Sequence, residues 1–365
     1  MKLIQITAKK FPASTADHIF VKKSVFAFSK ILGREYKFIC LNCYDDSFSG
    51  MNFKKVGLNW KKGRTLFLFF WIPYYLFKTG LNKESFYFYS NDVYLLSIII
   101  FWKKILSFKY FVVSEWHMLF GRYLDKFVIT NSQKIITTTR HLKDIISTNF
   151  SVDRNVVKEV YGGVDAELFN NFKLRKIDVI KKQKQVRLGY IGYYKTMGME
   201  KGISTIIESL KYITSNVSAV FVGGREDEIE QYDLYAQKCG VSDRTTFLPV
   251  VPQDQIHKSY ENIDVVIIPY PDKKHFREYG FPMKVYEYMA SGKIIVYSKL
   301  PIIGEVLGDC GVSFEPDNPR DLAIQIERII NDDIDYISLV KKAYEKVADC
   351  TWSKRAEHII RFLES

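Results

Sequence analysis

The sequence predicts an α/β protein made of two domains, each built on a parallel sheet. Short apolar runs alternate with longer amphipathic stretches along most of the chain, and this alternation is typical of parallel strands joined by helices. With 365 residues, the chain is long for one domain and comfortable for two. Its 47% hydrophobic and 26% charged residues exclude a disordered, collagen-like or disulfide-stapled protein.

The first domain is predicted over residues 1–169. Its candidate strands are 2–7, 37–42, 86–90, 110–114, 134–139 and 157–161. Residues 18–32 have apolar side chains at helical spacing, and Gly33 provides a stop signal for that helix. The turn after the first strand lacks the glycine-rich fingerprint of dinucleotide-binding domains, which disfavours a nicotinamide-dependent enzyme.

The second domain is predicted over residues 186–350, after a polar, lysine-rich linker at 170–185. It contains a candidate helix at 205–213, and its candidate strands are 186–193, 218–224, 244–251, 263–270, 293–298 and 311–316. The closing segment 351–365 has the pattern of an amphipathic helix. Two such domains leave a cleft at the carboxyl ends of their sheets, where ligands bind in folds of this kind.

Cysteine and acidic pairs give no metal-binding pattern. Cys40 and Cys43 form a single C-x-x-C without a second pair, so we expect reduced thiols at a strand end, as in a cytosolic protein. The pairs Asp45-Asp46 and Asp332-Asp333 are predicted to lie in surface turns.

Positive charge is concentrated in the first domain. Residues 1–150 contain 23 Lys and Arg against 9 Asp and Glu, a net charge of +14, and the rest of the chain has a net charge of −2. The aromatic runs 66–77 and 98–111 lie in this part, and both fall short of the roughly 20 apolar residues of a spanning helix. We expect buried helices with a basic aromatic surface that rests on anionic lipid, with a solvated basic face as the alternative.

Two segments of the second domain suggest anion binding. In 190–210 a strand ends at Gly192, and a loop with Lys195 and Lys201 leads into a helix, so ammonium groups and a helix N-terminus could hold a diphosphate. In 278–293 a helix is predicted to start near Pro282, with the 280–283 amides at its positive end. A solvated loop is the alternative for the first segment.

Glu287 lies one turn beyond Lys284 in that second segment, in apolar surroundings. A carboxylate placed there needs hydrogen-bond donors, and ribose hydroxyls would serve. A structural glutamate paired with a lysine is the alternative. A third segment, 158–169, places Gly162, Gly163 and Asp165 in a turn at the domain edge.

The chain resembles glycosyltransferase family 4 in the order of its motifs: VYGGVDAELF, GYIGYYKTMGMEKGISTIIESL, VFVGG, FLPVVPQDQIHKSYENIDVVIIPY, YGFPMKVYEYMASGK and PIIGEVLGDCGVSFEPDNPRDLAIQIERII. The resemblance covers about residues 140–350 and the first 110 residues only in outline. It implies the GT-B fold, in which two Rossmann-like domains face each other across a cleft, and a closing helix that crosses back onto the first domain. It also implies a retaining enzyme with a nucleotide sugar as donor.

The resemblance further implies that Glu287 binds the ribose hydroxyls and that Lys201 contacts the diphosphate. The other donor-binding residues that it implies are Gly192, Tyr193, Lys195, Val250, Tyr279, Gly280, Phe281, Pro282, Met283 and Lys284. A second family glutamate falls on Tyr279, which leaves Glu278, one place earlier, as the candidate. Tyr193 stands where the family often has an arginine, and Lys195 or Lys284 could supply that charge.

The catalytic candidates are His117, Lys201 and Glu278, with Glu115 as a secondary candidate. His117 follows a predicted strand end, where the family often has a histidine near the reacting sugar. A neutral histidine could hydrogen-bond a sugar hydroxyl or polarise the acceptor. Lysine charges and helix dipoles would stabilise the leaving diphosphate, so neither a metal nor another cofactor is required.

The function implied is transfer of a hexose from a UDP- or GDP-linked sugar to a glycan or polyprenyl-diphosphate-linked acceptor, in surface polysaccharide or glycoconjugate biosynthesis. The basic first domain would bind the acceptor, peripherally on the cytoplasmic face of the cell membrane. The alternatives are a nucleotide-sugar epimerase of the same fold and a nucleic-acid-binding or nucleic-acid-modifying protein. Because no nucleic-acid motif appears, no nucleic-acid partner is expected.

Overall fold

The computed structural model describes residues 1–12, 15–57, 64–169, 185–279 and 283–365. The chain divides into two compact units, one of Met1–Gly163 with Trp352–Ser365 and the other of Val164–Thr351. Residues 164–169, predicted at the end of the first domain, therefore group with the second unit, where Val164 pairs with Thr351. The predicted linker lies outside the described residues except for Gln185.

The first unit is built on a parallel sheet whose described strands lie in the order β3-β2-β1-β4-β5-β6-β7. The strands are β1 (Leu3–Phe11), β2 (Tyr36–Cys43), β3 (Phe53–Lys55), β4 (Tyr87–Ser90), β5 (Phe111–Trp116), β6 (Lys134–Thr137) and β7 (Val157–Glu159). The six predicted strands of this domain are confirmed. The edge strand β3 was not predicted, because its lysines are exposed and it has no apolar pattern.

Helices cover the first sheet. They are α1 (Ala16–Leu32), α2 (Arg64–Lys78), α3 (Val93–Leu106), α4 (Tyr123–Asn131) and α5 (Arg140–Asn149). The predicted helix 18–32 is confirmed as α1, which ends at Gly33 with a positive φ of 52°. At α3, the Asp92 side chain accepts hydrogen bonds from the backbone N–H groups of Tyr94 and Leu95, each at 3.1 Å, and so caps the helix.

The second unit is built on another parallel sheet, with the described strands in the order β12-β11-β8-β13-β14-β15, and a short hairpin of β9 and β10. The strands are β8 (Val186–Ile191), β9 (Lys195–Thr196), β10 (Met199–Glu200), β11 (Val217–Gly224), β12 (Thr245–Pro249), β13 (Val265–Ile268), β14 (Ile294–Ser298) and β15 (Val312–Phe314). All predicted strands of this domain are confirmed; the hairpin was not predicted.

Four helices of the second unit, at 203–209, 226–239, 319–330 and 336–347, pack apolar side chains on this sheet in a buried cluster that includes Leu188, Phe221 and Ile267. The helices described in this unit are α6 (Ile203–Ser209), α7 (Glu226–Cys239), α8 (Lys274–Glu278), α9 (Lys284–Ala290), α10 (Pro301–Leu307), α11 (Pro319–Ile330) and α12 (Tyr336–Val347). The helix predicted at 205–213 is shifted to α6, and the helix predicted near Pro282 is described from Lys284 onward.

The last helix, α13 (Trp352–Glu364), belongs to the first unit although it follows the second in sequence. It packs on α1, where the Trp352 and Phe20 rings meet edge to face at 5.0 Å between centroids. The Tyr87 hydroxyl on β4 donates to the carbonyl of Leu363 at 2.5 Å. Among the described residues, no helix has the length and apolarity needed to cross a membrane.

Candidate functional site

A buried lysine lies against the end of β8 in the second unit. Lys284, the first residue of α9, is only 9% exposed, and its Nζ lies 3.7 Å from the ring centroid of Tyr190. A Cβ atom at Gly192 would come within 2.7 Å of that Nζ, and Gly192 has a φ of 131°. Only glycine therefore lets the strand end and the ammonium lie this close. Nζ has no hydrogen-bond partner among the described residues, so its N–H groups can donate to an incoming anion.

Lys201 brings a second amine to the same region. Its backbone N–H donates to the carbonyl of Tyr194 at 2.9 Å, which anchors the loop before α6. The next residue, Gly202, has a φ of 85°, and a Cβ there would lie 1.8 Å from the carbonyl oxygen of Pro269. The tight contact with Pro269 thus requires glycine at position 202.

The charge of Lys201 disfavours protonation of Lys284. Burial lowers the pKa of Lys201 to about 8, partly opposed by Glu228. Burial, and then the charge of Lys201, lower the pKa of Lys284 well below its usual value, and Glu287 opposes this. Two amines with lowered pKa values, of which Lys284 is buried and Lys201 half-buried, form a site whose protonated state is stabilised by an added anion.

Glu287 lies one turn after Lys284 on α9, so both side chains emerge on one side of that helix. Its carboxylate accepts hydrogen bonds from Gln253 Nε2 at 2.8 Å and from the Tyr260 hydroxyl at 3.2 Å. Burial raises the pKa of Glu287, while Gln253, Tyr260 and Lys284 lower it. Since each carboxylate oxygen can accept two hydrogen bonds, capacity for further donors remains.

Lys195 and Glu278 have other partners. Lys195 lies on β9, and its Nζ donates to Gln231 Oε1 on α7 at 2.9 Å, so Lys284 and not Lys195 is the lysine beside Gly192. Glu278 is the last residue of α8, and its Oε2 lies 3.9 Å from Lys274 Nζ. Its carboxylate also hydrogen-bonds the side chain of Tyr279.

The remaining predicted donor-binding residues lie on loops of the second unit where the structure describes them. Tyr193 accepts a hydrogen bond at its carbonyl from the Tyr190 hydroxyl at 2.9 Å, and Met283 immediately precedes α9. Val250 follows β12 and is 43% exposed, as expected of a residue that could pack against a base. Gly280, Phe281 and Pro282 lie outside the described residues.

Three further residues near the lysines and Glu287 were not predicted. Gln253 and Tyr260 hold Glu287, and His275 on α8 has its pKa lowered by burial and then by the charge of Lys201. The sequence signal for them was weak, because each is a single polar residue in a loop or short helix. His275 is three residues before Glu278 in the segment already singled out, which is the one available clue.

His117 in the first unit is held by a buried carboxylate. It follows β5 directly, and its Nε2 lies 3.1 Å from Glu115 Oε1. The opposite ring nitrogen, Nδ1, lies 3.8 Å from Asp17 Oδ1, and the ring packs edge to face on Phe20 with centroids 4.4 Å apart. Because an ionised carboxylate only accepts hydrogen bonds, the proton between His117 and Glu115 is on Nε2.

Glu115 is the centre of a buried polar cluster. Besides His117, its carboxylate contacts the Tyr89 hydroxyl on β4 and the Arg355 guanidinium on α13. Burial alone would raise the pKa of Glu115, but Arg355, His117 and Tyr89 lower it to about 2. The carboxylate is therefore ionised at neutral pH and fixes the orientation of the histidine.

Comparison with known proteins gives a consistent assignment of the fold. Residues 175–346 match the family model described as glycosyl transferases group 1. The structure is similar over its full length to that of Alr3699/HepE from Anabaena, solved in complex with UDP, with a TM-score of 0.75 and 15% sequence identity, covering 100% of each chain. Together these findings confirm the predicted fold class, the two Rossmann-like domains of the GT-B fold.

Curated relatives match more distantly in sequence. An uncharacterised glycosyltransferase, MJ1607 of Methanocaldococcus jannaschii, is 26% identical over 214 residues, which cover 55% of this chain and 52% of the relative. The O-antigen chain mannosyltransferase RfbU of Salmonella typhimurium is 22% identical over 214 residues, which cover 58% of this chain and 55% of the relative. The chain thus spans just over half the length of these relatives.

Proposed function

We propose that this chain is a retaining glycosyltransferase that moves a hexose from a nucleoside diphosphate sugar to a glycan or lipid-linked acceptor. The observation that carries the proposal is a pair of amines with lowered pKa values. Lys284 is buried beside Gly192, one helical turn from Glu287, and the half-buried Lys201 is close enough for its charge to act on Lys284. These residues all lie within the stretch that matches the glycosyl transferases group 1.

The lysines bind the diphosphate of the donor. The charge of Lys201 opposes protonation of Lys284, so a ligand with two negative phosphates favours the protonated form of both amines. As the bond between sugar and phosphate breaks, negative charge grows on the leaving diphosphate. Fixed ammonium groups stabilise that charge, and one well-placed group of this kind contributes on the order of 3 kcal/mol to lowering the barrier.

Glu287 binds the nucleoside. Ribose has two neighbouring hydroxyl groups, and both can donate to a carboxylate whose position is set by Gln253 and Tyr260. Val250, exposed after β12, packs against the base. The UDP found with Alr3699/HepE supports a UDP-linked donor, with a GDP-linked donor as the alternative.

The acceptor reacts on the face of the sugar from which the diphosphate leaves. A phosphate oxygen of the donor can then take the proton of the acceptor hydroxyl, so no protein base is required at that atom. In the first unit, His117 is oriented by Glu115 and is the catalytic candidate that can hydrogen-bond a sugar hydroxyl. Glu278 is the catalytic candidate of the second unit. The similarity to RfbU supports an acceptor in surface polysaccharide synthesis, and the basic first unit supports a peripheral position on the inner face of the membrane.

The test is to incubate the full chain with UDP- and GDP-linked hexoses and measure release of nucleoside diphosphate, with and without a polyprenyl-diphosphate-linked glycan. We expect release that depends on the acceptor, and a product whose anomeric configuration matches the donor. An isomerised donor without transfer would indicate an epimerase instead. No release from any donor would contradict the proposal.

The nucleoside site is tested separately by calorimetry with UDP and GDP. Glu287→Ala should weaken binding of the preferred nucleotide about tenfold or more, because two hydrogen bonds to a charged group are lost. Glu345→Ala, which removes an exposed carboxylate from α12 of the same unit, is the control and should leave the affinity unchanged. Equal affinities of the two variants would remove Glu287 from the site.

A further inference from the structure

Helix α2 in the first unit is apolar on two opposite sides. Its inner side buries Leu68, Ile72 and Leu76. Its outer side carries Leu66, Phe70, Tyr74 and Phe77, which are between 54% and 65% exposed. The outer residues recur every three or four positions and therefore form one stripe. A surface helix of a water-soluble domain normally has polar residues there, so this stripe indicates a partner.

Helix α3 extends the stripe into a wider surface. The indole N–H of Trp102 donates to the carbonyl of Phe69 at 2.6 Å, which joins the two helices. The Phe69 ring contacts Phe70 on one side and Phe101 on the other, with centroids 5.3 and 5.0 Å apart. The exposed side chains therefore form one continuous patch, which we call the aromatic face: Leu66, Phe70, Tyr74, Phe77, Phe101 and Ile105.

The sequence segments that contain the aromatic face carry charge of one sign. Segments 47–83 and 93–114 contain ten Lys and Arg and no Asp or Glu. Lys78 at the end of α2 lies 5.5 Å above the Tyr74 ring, so a positive group borders the aromatic face there. On α3, Lys104 lies in sequence between Phe101 and Ile105 of that face. The complementary surface is apolar and carries anionic groups at its rim.

We propose that the aromatic face docks on the interface of a bilayer that contains anionic lipid. A bilayer presents an acyl layer bordered by negative headgroups, and aromatic residues next to lysines are typical of chains that lie at this boundary. Helix α2 has 15 residues, about 22 Å, which is shorter than the roughly 30 Å of a hydrocarbon core, so it lies in the plane of the membrane. The proposal rests on the peripheral membrane location given in the proposed function, and it names the residues that contact the membrane.

The test is sedimentation of the full chain with phosphatidylcholine vesicles, either pure or mixed with phosphatidylglycerol. We expect binding to the mixed vesicles that weakens with added salt, since headgroup attraction is screened. Phe70→Ser combined with Phe77→Ser should lower the partition coefficient by about tenfold or more, because two inserted rings are lost. The matched control is Leu234→Ser with Ile324→Ser, which removes two similarly exposed apolar residues from helices of the second unit.

The charged border is tested in the same assay. Lys78→Glu with Lys104→Glu should reduce binding more than Lys238→Glu with Lys341→Glu, although the net charge changes equally. Failure of the wild-type chain to bind mixed vesicles at low salt overturns the proposal. Equal binding of the Phe70→Ser, Phe77→Ser variant and its control also overturns it. The same holds if light scattering shows that the wild-type chain is a dimer and that the Phe70→Ser, Phe77→Ser variant is a monomer. Because no turnover is measured, this result is independent of whether the chain transfers a sugar.

Discussion

Replacing Arg355 with methionine removes one partner of the buried ion pair with Glu115. The arginine is 3% exposed, and the structure pairs its guanidinium with a carboxylate that is also buried. Breaking such a pair leaves a buried charge without compensation, which costs about 3–5 kcal/mol of unfolding free energy. The pKa of Glu115 is lowered to about 2 although burial raises it, so the partners of this carboxylate, Arg355 first among them, more than offset its desolvation.

The same shift sets the pH dependence. A carboxyl whose pKa is lower in the folded chain stabilises the fold above its unfolded pKa of about 4.5. This contribution is lost as the pH falls from about 4.5 toward about 2. In Arg355→Met the pKa of Glu115 is no longer lowered by its main partner, so the acid-dependent loss of stability should be smaller than in the wild type.

Urea unfolding followed by tryptophan fluorescence measures this effect in the first unit alone. The second unit, residues 164–351, contains no tryptophan in its sequence, and the tryptophans that the structure describes, Trp71, Trp102, Trp116 and Trp352, lie in the first unit. Arg361→Met, which removes an exposed arginine from α13, is the control and should change the unfolding free energy by about 0.5 kcal/mol or less.

A double-mutant cycle separates the pair from its surroundings. In a Glu115→Gln background, Arg355→Met should cost less than in the wild type, because the carboxylate that it abandons is no longer charged. If Arg355→Met is no more destabilising than Arg361→Met, the ion pair does not stabilise the first unit and the reasoning fails.

Three further predictions concern the second unit. The affinity for UDP should fall as the pH rises through about 8, where Lys201 loses its proton, and Lys201→Met should bind more weakly at neutral pH with a flatter profile; a pH-independent wild-type dissociation constant by calorimetry would argue against this lysine. Gly192→Ala should fold but displace the Nζ of Lys284, lowering UDP affinity about tenfold; unchanged affinity would refute the contact. Gly202→Ala should lower the unfolding free energy of the unit by about 3 kcal/mol or more in thermal unfolding, because its Cβ would meet the Pro269 carbonyl. The control is Gly198→Ala, whose Cβ meets no atom; at a φ of 74° it should cost only about 1–2 kcal/mol of backbone strain.

The strands could be predicted because parallel strands covered on both faces are continuous apolar runs. Strand β13 (Val265–Ile268) shows this, since all four of its residues are buried. The strands that were missed, β3 and the β9–β10 hairpin, have two or three residues each and no apolar run. Their pairing depends on neighbouring strands, which no local pattern records.

The residues of the candidate site were also predictable only in part. Gly192, Lys201, Lys284 and Glu287 were named from motifs in which glycine, lysine and glutamate recur at short spacing. The choice of Lys284 over Lys195 as the amine beside Gly192 could not be made from spacing, because both are compatible with it, and the structure directs Lys195 to Gln231 instead.

The sequence by itself determined two parallel α/β units, the concentration of basic and aromatic residues in the first, and the segments that carry the charged groups of the second. These features follow from periodicity and composition, which are properties of short stretches of sequence and do not depend on distant contacts. Only the tertiary structure decided that Gln253 and Tyr260 hold Glu287 and that Arg355 compensates Glu115. Those pairs join side chains that are 27 to 240 residues apart in sequence. A buried polar or charged group without a partner is costly, and this cost arises only after folding has removed the group from water.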